Sequence, residues 1–374
     1  MTIGIDLIGT NLGSGTKTYN INLCNELNSL NLSSNIKIFI CRSYLNQIAN
    51  KKNKKIEYLE KPDFLSISFI RLLWMQLIFP IELKLLGVKK VYCPMNFAPI
   101  ICKFLNIKII LCLHSNLPWI YFNFLPGNWF KNFIRKKLME MSIYACDILL
   151  VNSNFAKKEI IKVLRLCKKN IKVVYLGINK IFFLKKSKKI KNFDYSQKYI
   201  LSIISCVKYH NIINILKAFS LLSEERNLKL VLVLQVLDKS YFLDIKRFIK
   251  NNFLEEKTLI LSNLNPNELP KLYKNAEVYV FSSYCEVFGL TSLEAMSQRT
   301  PVAVSNNSAL PEINKKAAKY FDPDNIESIL SALRNIILHK KLRKKLIYEG
   351  TNLLKKYDVS KNIKKTIAII ENLN

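Results

Sequence analysis

Two glutamates, Glu286 and Glu294, stand eight positions apart in the stretch CEVFGLTSLEAMSQRTPVAVSNNSALPEI (285–313), with Gly289, Thr291 and Ser292 between them. The apolar run VYVFSS (278–283) reads as a buried strand, YCEVF as the loop at its end, and GLTSLEAMS as a helix starting near Gly289 or Leu290. The first turn of a helix offers unpaired N–H groups and a partial positive charge, which suits a phosphate. Gly289 lets a ligand approach the backbone closely, and Thr291 and Ser292 add hydroxyl donors. Glu294 falls about one turn into the helix, where side chains lean toward the N-terminus. It therefore reaches a hydroxyl-rich group beside that phosphate, and Glu286 on the loop reaches a second. Carboxylates on both sides of a phosphate site fit a ligand with sugars on both sides of a diphosphate, a nucleotide sugar. The plainer alternative makes Glu294 a helix-dipole partner and Glu286 a solvated loop acid.

These side chains need a scaffold, and the chain alternates short β-rich runs with helical patterns. Strands are expected at TIGIDLI (2–8), IKIFIC (36–41), KVYC (90–93), KIILCL (108–113) and DILLVNS (147–153), with helices over TYNINLCNELNSL (18–30) and NWFKNFIRKKLMEMSIYA (128–145). The second half repeats the rhythm, with strands at YILSII (199–204), KLVLVL (229–234), TLILS (258–262), VYVFSS and PVAVS (301–305), separated by helices. Such alternation, twice over, predicts two α/β domains with parallel sheets. The basic, aperiodic segment 182–198 marks the start of the second, so residues 1–180 and 181–374 are expected as domains, with the last helix (356–374) able to pack back on the first. Ligands of doubly wound sheets sit beyond the carboxyl ends of the strands. That rule draws the loops after Ile8, Leu113, Ile204, Leu261 and Ser283 around one crevice.

The chain has 374 residues, half of them apolar, enough for two cores. With 58 Lys and Arg against 27 Asp and Glu, its net charge is +31, shared nearly equally between the first 177 residues and the rest. A surface of that sign favours phosphates, acidic membranes or nucleic acid. No recognisable nucleic-acid module is present, nor a Lys/Arg cluster interleaved with exposed aromatics, so nucleic acid is not expected as a partner. The nine cysteines form no CxxC pair and lie mostly in apolar runs, as reduced core thiols of a cytoplasmic protein. MTIGIDLIGT lacks the basic start of a signal peptide. LLWMQLIFPI (72–81), the longest apolar stretch, is too short to span a bilayer.

The segment around the two glutamates resembles the signature of the family-4 glycosyltransferases of GT-B fold: Glu286, Phe288–Gly289, then Glu294, Ala295 and Met296, followed by TPVAVSNNSALPEI with Arg299 in place of the usual glycine. The resemblance extends over nearly the whole chain. LGSGTKTY, with Gly13 and Gly15, is similar to the family's glycine loop, although Lys17 stands where a second glycine is usual. RLLWMQLIFP (71–80) resembles a family helix, with Met75 replacing an acid. LHSNLPW resembles its HD…P loop, with Ser115 replacing Asp. VYLGIN resembles the strand that closes the first domain. The resemblance implies an α/β GT-B architecture of two Rossmann-like, doubly wound parallel-sheet domains facing a crevice.

It also implies a retaining hexosyltransferase that uses a nucleotide-diphosphate sugar as co-substrate and no cofactor. Glu286 is then expected at the donor sugar, Glu294 at the ribose, and His114 near the reacting carbon. Donor contacts are implied at Phe288, Gly289, Leu290 and Thr291, and at Ser262 and Leu264 in the base pocket. The largest departure is ISCVKYHN (204–211), where the family's basic diphosphate clamp is replaced by Ile204, Ser205, His210 and Asn211. Lys208 and His210 are the available substitutes. That change leaves a catalytically degenerate sugar-nucleotide-binding relative as an alternative, with a GT-B-fold epimerase behind it. With no Asp-x-Asp motif and three scattered histidines, no metal site is expected. The helix NWFKNFIRKKL sets Trp129, Phe130, Phe133 and Ile134 beside Arg135, Lys136 and Lys137. It resembles an interfacial helix that meets anionic lipid, or equally a core helix with a solvated basic face. A lipid-linked saccharide acceptor of surface polysaccharide or lipopolysaccharide assembly is expected, at the inner face of the cytoplasmic membrane.

Overall fold

Thirteen short strands rich in Ile, Leu and Val, most of them buried, form two wholly parallel sheets among the described residues. Parallel strands covered by helices on both faces need such near-continuous apolar runs rather than alternation. The computed structural model describes residues 1–9, 14–48, 53–166, 169–184 and 187–373. It divides into two units, one of Met1–Trp119, Trp129–Gly177 and Asp358–Asn374, the other of Ile120–Asn128 and Ile178–Tyr357.

The first unit holds β1 (Thr2–Asp6), β2 (Asn35–Cys41), β3 (Ile56–Lys61), β4 (Lys90–Cys93), β5 (Lys108–Leu113), β6 (Ile148–Val151) and β7 (Ile171–Val173), in the order β3-β2-β1-β4-β5-β6-β7. Numbering only helices of eight or more residues, it carries α1 (Ser14–Leu27), α2 (Trp129–Ala145) and α3 (Asn154–Leu164). The second unit holds β8 (Tyr199–Cys206), β9 (Lys229–Val236), β10 (Thr258–Leu261), β11 (Val278–Phe281), β12 (Val302–Ser305) and β13 (Ala318–Phe321), in the order β10-β9-β8-β11-β12-β13. Its helices are α4 (Ile212–Glu225), α5 (Lys239–Asn251), α6 (Leu290–Ser297), α7 (Ile326–Leu338) and α8 (Lys340–Leu353). Each sheet runs outward in one direction from its first strand and then restarts on that strand's other side. The reversal lies between β1 and β4 in one unit and between β8 and β11 in the other, and ligands of doubly wound sheets bind at that point.

The final helix, α9 (Val359–Glu371), belongs to the first unit and packs on α1. Lys90 Nζ donates to the carbonyls of Ile370 and Glu371, at 3.1 and 2.7 Å, and the Ser34 N–H donates to the Glu371 carboxylate. Gly177 allows the approach: a Cβ there would lie 2.1 Å from the Val359 Cα. The strands β3 and β13 were not expected from the sequence, and β7 lies just ahead of VYLGIN (174–179), where the strand closing the first domain was expected. β3 is an edge strand whose Glu57, Glu60 and Lys61 break the apolar run, and β7 is three residues long. The basic segment 187–198 packs within the second unit, where the Phe193 ring meets Tyr199 edge-on at 5.4 Å. His339 separates α7 from α8.

Candidate functional site

The loops after β8 and β11 flank the reversal point of the second sheet, and they bring His210 and Glu286 together. After β8 the chain makes a 3-10 turn over Lys208–His210, and Asn211 takes a left-handed conformation (φ 53°) before α4. This geometry folds the imidazole back over the strand end. Nδ1 stands 2.6 Å from the Ser205 carbonyl oxygen and Nε2 stands 3.2 Å from Glu286 Oε1. A carbonyl can only accept, so Nδ1 carries a proton. A proton on Nε2 as well makes the Glu286 contact a charge-assisted hydrogen bond. The ring is buried, with Tyr209 at 4.4 Å and Phe281 at 5.8 Å. Lys208, one turn earlier, is exposed.

Glu286 is also held through its backbone. Its N–H donates to Ser308 Oγ at 2.9 Å, and its carbonyl accepts from the Ala309 N–H at 3.1 Å. The side chain keeps 19% of its surface exposed. Among the described residues its Oε2 accepts no hydrogen bond. The carboxylate is thus oriented on one oxygen and open on the other.

Gly289 caps α6 in the left-handed region (φ 83°), and a Cβ there would strike Leu310 Cδ2 at 2.5 Å. Glycine is required on both grounds. Within the first turn, Ser292 Oγ donates to the Gly289 carbonyl at 2.8 Å, while Thr291 Oγ1 pairs with the Tyr279 hydroxyl at 2.8 Å. Leu290 and Thr291 are half-buried, and the Phe288 ring lies in the core, edge-on to Tyr357 at 5.5 Å. Glu294 is buried, and among the described residues its carboxylate takes a single hydrogen bond, from the Tyr273 hydroxyl to Oε2 at 3.1 Å. Burial pushes its carboxyl up to about 7, and the Tyr273 hydroxyl opposes this only in part. A buried acid with one donor is set up to accept more donors, such as vicinal hydroxyls, once it ionises. Ser262 and Leu264 follow β10, with Ser262 exposed and Leu264 half-buried.

The remaining expected residues belong to the first unit. Gly13 lies outside the described residues, and Gly15, in the first turn of α1, has open space where a Cβ would point. His114 follows β5. Its N–H donates to Asn96 Oδ1 at 2.6 Å, and its Nδ1 lies 3.1 Å from Asn152 Nδ2, with the ring 5.0 Å from Tyr19. Asn152 Oδ1 in turn accepts from Cys112 Sγ at 3.9 Å, which orients the amide so that Nδ2 donates to the imidazole. Nε2 then carries the proton. Burial pulls the ring's pKa down to about 4, the Pro94 carbonyl partly offsetting it, so His114 is neutral at physiological pH.

Three contributors escaped the sequence. Tyr273 sits on a short helix whose contact with Glu294 has no spacing signal, since the pair is 21 positions apart. Ser308 meets Glu286 across 22 positions. Tyr284 stacks near Tyr121 and Phe124, at 6.4 and 6.2 Å between ring centres, and donates to Asp324 Oδ1 at 2.6 Å. Tyr284 stands two residues before Glu286 and was readable only as a neighbour.

The family model described as "Glycosyl transferases group 1" matches residues 184–353, and that of "Glycosyltransferase Family 4" matches residues 14–180. The chain is 28% identical over 247 residues to the O-antigen chain mannosyltransferase RfbU of Salmonella typhimurium, covering 63% of this chain and 67% of that one. It is 26% identical over 200 residues to O-antigen chain mannosyltransferase B of Escherichia coli, covering 52% of each. The matched stretches thus span between half and two thirds of these relatives. Among solved structures, a sucrose-phosphate synthase from Thermosynechococcus elongatus superposes with a TM-score of 0.77 at 14% identity, over 99% of this chain and 98% of that one. Anabaena HepE in complex with UDP and glucose superposes at 0.74 and 13% identity, over 100% and 99%.

Proposed function

This chain belongs to the group 1, family-4 glycosyltransferases of GT-B fold, and from that premise we propose that it moves a hexose from a nucleotide-diphosphate sugar to a lipid-linked saccharide, with retention, in surface polysaccharide assembly. The observation that carries this is the pairing of an oriented, half-open carboxylate at Glu286 with a buried, under-donated one at Glu294, on either side of the uncapped first turn of α6. The relatives named as O-antigen mannosyltransferases make mannose the first hexose to test.

In this reading the N–H groups of α6 and the Lys208 ammonium face the diphosphate and absorb the charge that builds on it as the bond to the sugar breaks. His210 is committed to Ser205 and Glu286, which leaves Lys208 as the side-chain cation for that role. Glu294 accepts the ribose hydroxyls. Glu286 accepts from hydroxyls of the sugar and favours the positive character of its reacting carbon. The neutral imidazole of His114 offers a hydrogen bond rather than a charge. The exposed Trp129 and Phe130 of α2, beside Arg135 and Lys137, support an anionic membrane as the place where the acceptor is met.

The test is a panel of nucleoside-diphosphate sugars, screened by thermal shift in EDTA and followed by product analysis. One base and one sugar should raise the melting temperature by mass action and be consumed only with a saccharide acceptor. Binding without consumption would favour the degenerate relative, and sugar rearrangement without acceptor would favour the epimerase. Lys208→Ala should weaken the donor's diphosphate by roughly 1.5–3 kcal/mol at every pH, as a charged hydrogen-bond partner does. Unchanged affinity by calorimetry would remove Lys208 from the diphosphate.

A further inference from the structure

The apolar stretch that is too short to span a bilayer lies in a helical segment with two faces. It runs as α-helix over Ser68–Leu73, π-helix over Trp74–Ile78 and α-helix over Phe79–Leu85. One face is core: Arg71, Trp74, Met75, Phe79 and Leu83 are buried, with Trp74 stacked on Phe79 at 4.5 Å. The other face turns Phe69, Leu73, Leu77, Ile78, Ile81 and Leu85 to solvent, with Phe69 71% and Leu85 83% exposed. Four-residue steps drift forward around an α-helix, and the wider turn of the π segment takes that drift back. The π turn therefore keeps the exposed row aligned. Gln76, the polar residue in the run, is not part of that row's chemistry. Its amide donates to the Ala98 carbonyl at 2.8 Å and accepts from the Ile100 N–H at 2.9 Å, which fixes the segment to the 3-10 helix Ile100–Leu105. That helix adds Phe104, 81% exposed. An open groove of about 410 Å³ runs along the segment, walled by Leu65, Trp74, Ile78, Ile81 and Leu85.

We propose that this face docks the protein on an anionic lipid bilayer, its apolar row entering the boundary between headgroups and acyl chains. A row of large exposed apolar side chains of this length is an interaction surface, and its surroundings select the partner. Lys84 on the same segment, Lys89 just beyond it and Lys103 beside Phe104 are exposed. Of the nearby acids, Glu82 is paired with Lys61, and Asp63 keeps its charge under hydrogen bonds from the Ser43 N–H and hydroxyl, so the three lysines outnumber the one acid left without a cation. An apolar row edged by lysines in excess of acids is complementary to acyl chains below anionic headgroups. A second copy of this chain fits less well, because it would set one +31 surface against another. No helix among the described residues is long and apolar enough to cross a membrane, so this contact is with one leaflet's surface.

The inference rests on the reading that the acceptor is membrane-borne, but it is tested without donor or acceptor. Flotation of the full chain with phosphatidylcholine vesicles, with and without phosphatidylglycerol, measures docking directly. Binding should require phosphatidylglycerol and weaken with salt. Leu77→Ser/Ile81→Ser/Leu85→Ser, all at exposed positions, should reduce it roughly tenfold or more, while the melting temperature and nucleotide affinity stay at parent values. Trp129→Ser/Phe130→Ser on α2 is the parallel variant. Parent-like binding by the triple variant, loss confined to the α2 variant, equal binding to neutral vesicles, or no vesicle binding by the parent would each overturn the proposal. So would a dimer by light scattering that the triple variant dissolves. Absence of transfer to a lipid-linked acceptor in detergent would instead overturn the functional reading and leave the docking surface standing.

Discussion

Glu286→Gln is expected to lower turnover by roughly 10²-fold or more with little change in donor nucleotide affinity. The residue is held at three points: Ser308 Oγ takes its backbone N–H, the Ala309 N–H meets its carbonyl, and His210 meets Oε1 of the carboxylate. The amide keeps this shape and can still accept a hydrogen bond, but it removes the charge. The contribution lost is the one that grows as the sugar becomes cationic, so it appears in kcat and not in binding. His210→Gln should show a smaller loss of the same kind, because the imidazole acts on the sugar only by holding Glu286. His114→Ala, in the other unit, is expected in the same class. Steady-state kinetics paired with calorimetry on the free nucleotide decides the matter. A parallel loss of binding and turnover in Glu286→Gln would show that it only shapes the pocket.

Glu294→Gln is expected to stabilise the ligand-free chain while weakening its nucleotide binding. The folded carboxyl titrates at about 7 because it is buried, against an ordinary value of 4.5. Below pH 4.5 it is protonated in both folded and unfolded chains, and its favourable contribution is complete. Between 4.5 and 7 only the folded chain keeps the proton, so stability falls as pH rises, by about 3 kcal/mol across the window. Above 7 the loss is complete and flat. The glutamine variant carries no such slope, and its advantage over the parent is largest at pH 7 and above. Hydroxyls that donate to the ionised carboxylate favour it, so parent affinity for the nucleotide should rise with pH until about 7. The variant should bind roughly 1.5–3 kcal/mol more weakly above that pH, as when a charged acceptor is lost. Denaturant melts across pH and calorimetry on the free nucleotide measure both arms. Equal affinity in parent and variant would sink the ribose role, and a flat parent stability curve would sink the buried acid.

Much of the scaffold was legible because burial on both faces of a parallel strand leaves a local trace. KIILCL and KVYC coincide with β5 and β4, since every residue of those runs that must face a helix is apolar. The trace fades at edges: β3 carries charges because one side of it meets no further strand. The signature around Glu286 and Glu294 was legible for a related reason. A strand, a loop, a left-handed glycine and a helix are consecutive in the chain, so the elements that aim these carboxylates are local.

The sequence alone determined two parallel-sheet α/β halves, the helix start at Gly289 and the two carboxylates set around it, because periodicity, φ > 0 and helix polarity are properties of neighbouring residues. Only the tertiary structure decided what those carboxylates meet. Crossover connections bring Tyr273, Ser308 and His210 to them across 21, 22 and 76 positions, and such distances leave no local pattern. It also decided that His210 turns onto Glu286 while Lys208 stays exposed, a choice made by the left-handed turn at Asn211, where Ser282 Oγ, just after β11, donates to the His210 and Asn211 carbonyls. The same holds for the protonation of Glu294. A carboxylate's affinity for its proton depends on how much water surrounds it, and water is excluded by the fold as a whole.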